Sequence, residues 1–166
     1  MFLFPLQPRK AMRDAILIMA AVTLAMTGCL AQPSRELREV SLQSSVIMET
    51  GKNPVKVDVE LAQNPVDWQR GLMFRESLGE NAGMLFIYPQ QLDLTFWMKN
   101  TVIPLDMIFI DSNFTIIRIH RDVQPCTTNP CPLYYSGGPA QYVLEVNGGF
   151  SDQHGIKEGQ KVIIND

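Results

Sequence analysis

Seven side chains on short, distinctive segments could together do chemistry: Arg70, Arg75, Trp97, Lys99, Asn100, Asp106 and Glu145. Asp106 stands inside the apolar run LDMIFI at 105–110, and Glu145 inside YVLEV at 142–146. A carboxylate left buried and unpaired is strongly destabilising, so each requires a partner, water or a ligand. Arg70, Arg75 and Lys99 are the cations nearest at hand, and a guanidinium can hold a carboxylate bidentately. Two readings follow. In one, Arg70 or Arg75 pairs with Asp106 or Glu145 to pin a helix to a sheet, and Lys99-Asn100-Thr101 is a turn whose side chains satisfy backbone groups. In the other, the seven surround one pocket. Ionisable groups beside an aromatic face suit a small polar ligand, such as a sugar or peptidoglycan fragment, or an anion held by the arginines.

Catalysis is a further alternative: Asp106 and Glu145 could divide acid and base roles in a hydrolase if both reach one cleft. No catalytic residue is assigned, and no G-x-S-x-G segment nominates a serine. His120 reads as surface and His154 as turn. With two histidines in the chain, a metal site lacks ligands, and neither metal nor cofactor is expected. Cys126 and Cys131 flank TTNP, and the expectation is a disulfide closing a small loop. By loop entropy so short a ring contributes about 2 kcal/mol, enough to stiffen a loop. A third class is an envelope interaction module that uses Trp68, Tyr134 and Tyr135 as an exposed apolar patch.

The elements that must position these groups are mostly strands. VKVDVEL at 55–61 alternates strictly, as a half-buried antiparallel strand does. Further strands are expected at 83–88, 92–98, 105–110, 114–120, 141–146 and 161–164. On 92–98, Leu94, Phe96 and Met98 share one face, while Asp93, Thr95 and Trp97 share the other. Residues 105–110 are apolar on both faces and therefore central and covered. One short helix is expected from Asn64-Pro65 to Gly71, with Asn as cap, Pro in the first turn and Gly as stop. Many short strands with little helix predict a mainly β single domain, an antiparallel sheet curled into a barrel or sandwich. The Pro- and Gly-rich tract 123–139 reads as a long ordered loop.

The N-terminus supplies an address. Arg9, Lys10 and Arg13 precede an apolar run at 15–26, the pattern of a secretory signal too short to span a membrane comfortably. MTGC at 26–29 resembles the lipobox of bacterial lipoproteins, which makes Cys29 the lipidation site; a simply cleaved signal is the alternative, and Met12 is an alternative start. The expected organisation is a signal at 1–28, a polar tether at 29–42 and one domain at 43–166. The expected location is the cell envelope, as an outer-membrane lipoprotein facing the periplasm, its partners the membrane, through Cys29, and a small polar ligand or an envelope protein. Formal net charge is −3, and residues 1–28 carry three positive charges and one negative, leaving −5 beyond them. No basic stripe is visible, so nucleic acid is not an expected partner.

RGLMFR (70–75), GMLF (83–86), FWMKNTVIPLDMIFI (96–110), YVLEV (142–146) and GIKEGQKV (155–162) occur in that order. Together they resemble the bacterial and archaeal family called domain of unknown function 192, over roughly residues 46–164. The cysteine pair ahead of PLYY is similar to that of many members. The resemblance implies a compact, mainly β fold with a short helix. It implies no activity and carries over no catalytic residue.

Overall fold

The computed structural model of the chain describes residues 44–51 and 53–166, so the signal segment, Cys29 and the tether lie outside the described residues. Among the described residues seven strands form one sheet: β1 Ser45–Met48, β2 Val55–Ala62, β3 Ala82–Trp97, β4 Leu105–Ile110, β5 Ile116–Val123, β6 Leu133–Asn147 and β7 Val162–Asn165. Their order is β5-β4-β6-β3-β2-β1-β7. The sheet curls until its two edges meet at one end, where Ile116 N–H donates to the Gln160 carbonyl (2.9 Å) and Val162 N–H to that of Phe114 (2.9 Å). The expected mainly β, barrel-like class is what the chain adopts.

Four details differ from the sequence expectation. The β2/β3 pair is parallel, so the sheet is not wholly antiparallel. Parallel neighbours need a crossover, and residues 63–81, including helix α1 (Pro65–Arg70), provide it. A second helix, α2 (Phe150–His154), is a single turn too short to leave a periodic signal. Residues 82–97 form one strand, and the second half of the 123–139 tract belongs to β6. The β3/β6 register slips between Ile87 and Leu92 and again between Asp93 and Thr95. Ser136 seals the second slip: its hydroxyl accepts from Leu94 N–H (3.0 Å) and donates to the Gly138 carbonyl (2.6 Å).

Strand alternation sorts the apolar residues into two layers. Val46, Val57, Leu85, Ile108, Leu144 and Val146 are among those filling the inside of the curl. Leu72, Met84, Phe86, Met107, Phe109 and Val143 form a second layer on the outer face of β3, β4 and β6, covered by the crossover and by the β3/β6 arm, residues 92–97 paired with 133–140. β4 is consequently buried at every residue. At ~1.5–3 kcal/mol for each large side chain taken out of water, both layers stabilise this wall.

Helix α1 is built as its sequence suggests. The Asn64 side chain accepts from Val66 and Asp67 N–H (3.1 Å each), and Gly71 ends the helix at a positive φ of 47°. Six residues are too few for a stable isolated helix, so packing must hold this one. Trp68 does so, donating from Nε1 to the Ala62 carbonyl (2.9 Å) and stacking on Tyr88 at 4.7 Å.

Candidate functional site

The two carboxylates are both buried, and their surroundings are opposite in kind. Asp106 is satisfied by backbone. Its Oδ1 accepts from Asp122 N–H (2.7 Å) and Gly149 N–H (2.9 Å), and its Oδ2 from Ser151 N–H (2.7 Å). Asp106 thus fastens the end of β5 and caps α2 from across the sheet, a charge-assisted arrangement that needs no cation. The expected Arg70 or Arg75 partner is absent.

Glu145 has no such support. Cross-strand register sets it opposite Met84 on one side and Met107 on the other, whereas Asp106 lies opposite Val146. Directly paired residues share a face, so Glu145 projects into the outer layer and Asp106 toward the interior of the curl. The two acids cannot act on one substrate, which corrects the hydrolase alternative. Glu145 is 5% exposed, and burial alone, with no hydrogen-bond or charge partner among the described residues, sets the state of its carboxyl. Burial pushes its pKa up to about 8, so the group is a neutral acid at pH 7. Tyr88 is pushed up to about 12, first by burial and then by the negative charge of Glu145.

The Glu145 carboxyl lines a cavity of about 30 Å³ whose walls include Trp68, Phe86, Phe96 and Trp97. Gly71 lets the crossover backbone close over it: a Cβ there would stand 3.2 Å from the Phe86 ring and 4.0 Å from Glu145 Oε2. A wider hollow of about 380 Å³ adjoins it, sharing Gln69, Arg70, Met73 and Trp97 as walls and adding Lys99 and Asn100. Lys99 Nζ lies 5.1 Å from the centre of the Trp97 ring, a cation–π contact. Asn100 takes a left-handed φ of 57°, tolerable for Asn, and its carbonyl accepts from Phe74 N–H (2.8 Å). The turn at 98–101 and the segment after α1 are thereby joined as one rim.

Of the seven candidates, Arg70, Trp97, Lys99, Asn100 and Glu145 therefore line two adjoining hollows. Arg75 does not. It forms a bidentate pair with Glu60 of β2 on the surface, and that hydrogen-bonded pairing lowers the Glu60 pKa and raises that of Arg75. Asp106 is excluded by its face. The walls Gly71, Phe86 and Phe96 were not singled out from the sequence, although Gly71 sits inside RGLMFR. Trp68 and Tyr134 pack against the outer layer instead of forming a patch with Tyr135, which is exposed. His120 is half-buried, with Nε2 2.8 Å from the Tyr135 carbonyl and its ring edge-on to Phe109. Cys126 and Cys131 are disulfide-bonded. Among the described residues no cluster of His, Cys, Asp or Glu is disposed to hold a metal.

Comparison with known proteins adds lineage without chemistry. A protein from Sinorhizobium meliloti 1021, provisionally described as a transcription regulator, is 34% identical, with a TM-score of 0.69 over 74% of this chain and 93% of its own. A protein of unknown function from Novosphingobium aromaticivorans DSM 12444 is 36% identical, with a TM-score of 0.68 over 72% of this chain and 83% of its own. No curated protein matches. The profile of the family DUF192, described as "Uncharacterized ACR", matches residues 46–164. With its motifs, its fold and this match in agreement, the chain belongs to the DUF192 family.

Proposed function

We propose that this domain binds a small polar ligand in the paired hollows between α1 and the β3/β6 arm. The observation that carries the reading is Glu145: a buried acid without a partner among the described residues, facing a space that adjoins an open hollow. Buried polar groups are ordinarily hydrogen-bonded, and a group left without a partner calls for an explanation such as a ligand. Trp97 supplies a flat apolar wall, and Arg70 and Lys99 supply positive charge at the rim. Such a mixture, mainly apolar with a few convergent polar groups, is what small-molecule sites are made of. Binding is preferred to catalysis because the second carboxylate is committed to backbone amides on the other face.

The wider setting we propose is the cell envelope, with Cys29 as lipid anchor. The basic and apolar leader supports export, and the Cys126–Cys131 bond suits an oxidising compartment. The transcription-regulator description of the Sinorhizobium protein is not carried over, since the chain has 17 acidic against 14 basic residues. A thermal-shift screen of the chain against cell-wall sugars, small anions and small amines tests the binding reading. Shifts that vanish in Trp97→Ala and Glu145→Gln, with both variants folded, are expected. No shift from any member of the panel would overturn it. Acyl labelling lost in Cys29→Ser is expected for the anchor, and labelling absent from the unmodified chain would refute it.

A further inference from the structure

We infer that the deep end of the hollow is a site for a primary ammonium group, so that the ligand is a small amine or a zwitterion whose anion lies outside at Arg70 and Lys99. This rests on the reading that the hollow binds a ligand at all. Glu145 is the residue that decides the chemistry. Its carboxyl is buried and lines the cavity, and no described residue bonds to it. Arg70 lines both hollows but makes no ion pair with it. Four of the other walls are aromatic, Trp68, Phe86, Phe96 and Trp97, and an aromatic face attracts a cation and repels an anion. An anion in this position would meet a carboxyl and four aromatic rings, with Arg70 the one cation on the walls. A metal ion would find a single carboxyl, with no cluster of His, Cys, Asp or Glu around it among the described residues.

Size narrows the class further. A cavity of about 30 Å³ has room for a group the size of one water, which an –NH3+ matches. A trimethylammonium does not fit. The outer hollow, at about 380 Å³, accommodates the rest of a small molecule, with Met73 and Trp97 against its apolar part. A ligand carrying both charges would then span from Glu145 to the rim cations.

Proton balance follows from the state of the free acid. Glu145 holds its proton at neutral pH because burial pushes its pKa to about 8. When R–NH3+ enters, the carboxyl ionises, its proton leaves to solvent, and the ammonium–carboxylate pair remains. The titratable and charged groups facing Glu145 are Tyr88 and Arg70, with Lys99 on the adjoining hollow. A neutral hydroxyl in the same place would release no proton. That difference separates the two kinds of donor.

The test is a carboxyl ¹³C NMR titration of the full-length chain at pH 7 with ethylammonium, glycine, N-trimethylglycine, acetate and ethylene glycol. Ethylammonium and glycine are expected to move the Glu145 carboxyl resonance to its ionised position, while acetate and ethylene glycol leave it in place. N-trimethylglycine should bind at least about tenfold more weakly than glycine, since overfilling a packed space is unfavourable. Glu145→Gln should weaken ethylammonium binding, followed by the backbone signals of Met73 and Asn100, by about tenfold to a hundredfold. If that variant fails to fold, the size series and the carboxyl shift in the unmodified chain still decide. Binding of acetate or ethylene glycol without preference for amines would overturn the ammonium inference and leave the hollow as a ligand site. Amine binding that leaves the Glu145 resonance unmoved would do the same. Silence from all five probes and from the thermal-shift panel would overturn both.

Discussion

Replacing Glu145 by Gln should remove a pH dependence from the stability of this domain. In the folded chain the carboxyl titrates near 8; unfolded, it returns to its ordinary 4.5. Between those values the folded state holds a proton that the unfolded state has lost, so raising the pH favours unfolding. The contribution is fully present below pH 4.5 and is lost progressively as pH rises through 8. Each unit is worth about 1.4 kcal/mol, so the whole window amounts to about 4–5 kcal/mol. That is a large fraction of the ~5–15 kcal/mol stability of an ordinary domain. Urea denaturation at several pH values from 5 to 8 would measure it in both proteins, with the slope against urea checked for constancy. Gln has the shape of the neutral acid and cannot ionise. The two proteins should be close in stability at pH 5, and the variant should lead by about 4 kcal/mol near pH 8. Other titrating groups cancel in the difference. Glu60, lowered by its pairing with Arg75, acts with the opposite sign, its stabilisation lost only as pH falls below the ordinary carboxylate range. Parallel stability curves for the two proteins would refute the reasoning, because they would mean that Glu145 is solvated or paired.

The other carboxylate should behave as a structural fastening. Asp106→Ala strips the partner from one buried and two part-buried N–H groups, the buried one at ~1–3 kcal/mol and the others at less, so a loss of about 3–6 kcal/mol is expected in denaturant melts; a change below 1 kcal/mol would contradict the hydrogen bonding described. Arg75→Ala removes an exposed pair and should alter stability by no more than about 1 kcal/mol, with ligand-induced thermal shifts unchanged. Loss of those shifts in folded Arg75→Ala would return the residue to the site.

Within a strand the sequence was a reliable guide, and between strands it was not. The alternation in 55–61 and 92–98 put Leu94 and Met98 in the core and Trp97 outside, as observed. The Asn64-Pro65 start and Gly71 stop delimited α1 to the residue. Each acid also had the same-face neighbours its strand period required: Ile108 and Ile110 for Asp106, Val143 for Glu145. What alternation cannot supply is which face of β4 matches which face of β6, since that depends on the Asp106–Val146 register between strands far apart in the chain. A one-residue difference in that pairing would have put both carboxylates on one side. Arg75 illustrates the same limit, its partner Glu60 being brought near by the parallel β2/β3 crossover that no local signal announces. The capping of α2 by Asp106 was hidden for a related reason, because a backbone amide leaves no mark in the sequence.

A pH titration of the Glu145 carboxyl by ¹³C NMR in the unliganded full-length chain goes most directly to whether a dry, unpartnered acid faces the hollow. The resonance should stay at its neutral position through pH 7 and ionise near pH 8. Ionisation near 4.5, the value of an ordinary glutamate, would show a hydrated or neutralised carboxylate and remove the basis for the site.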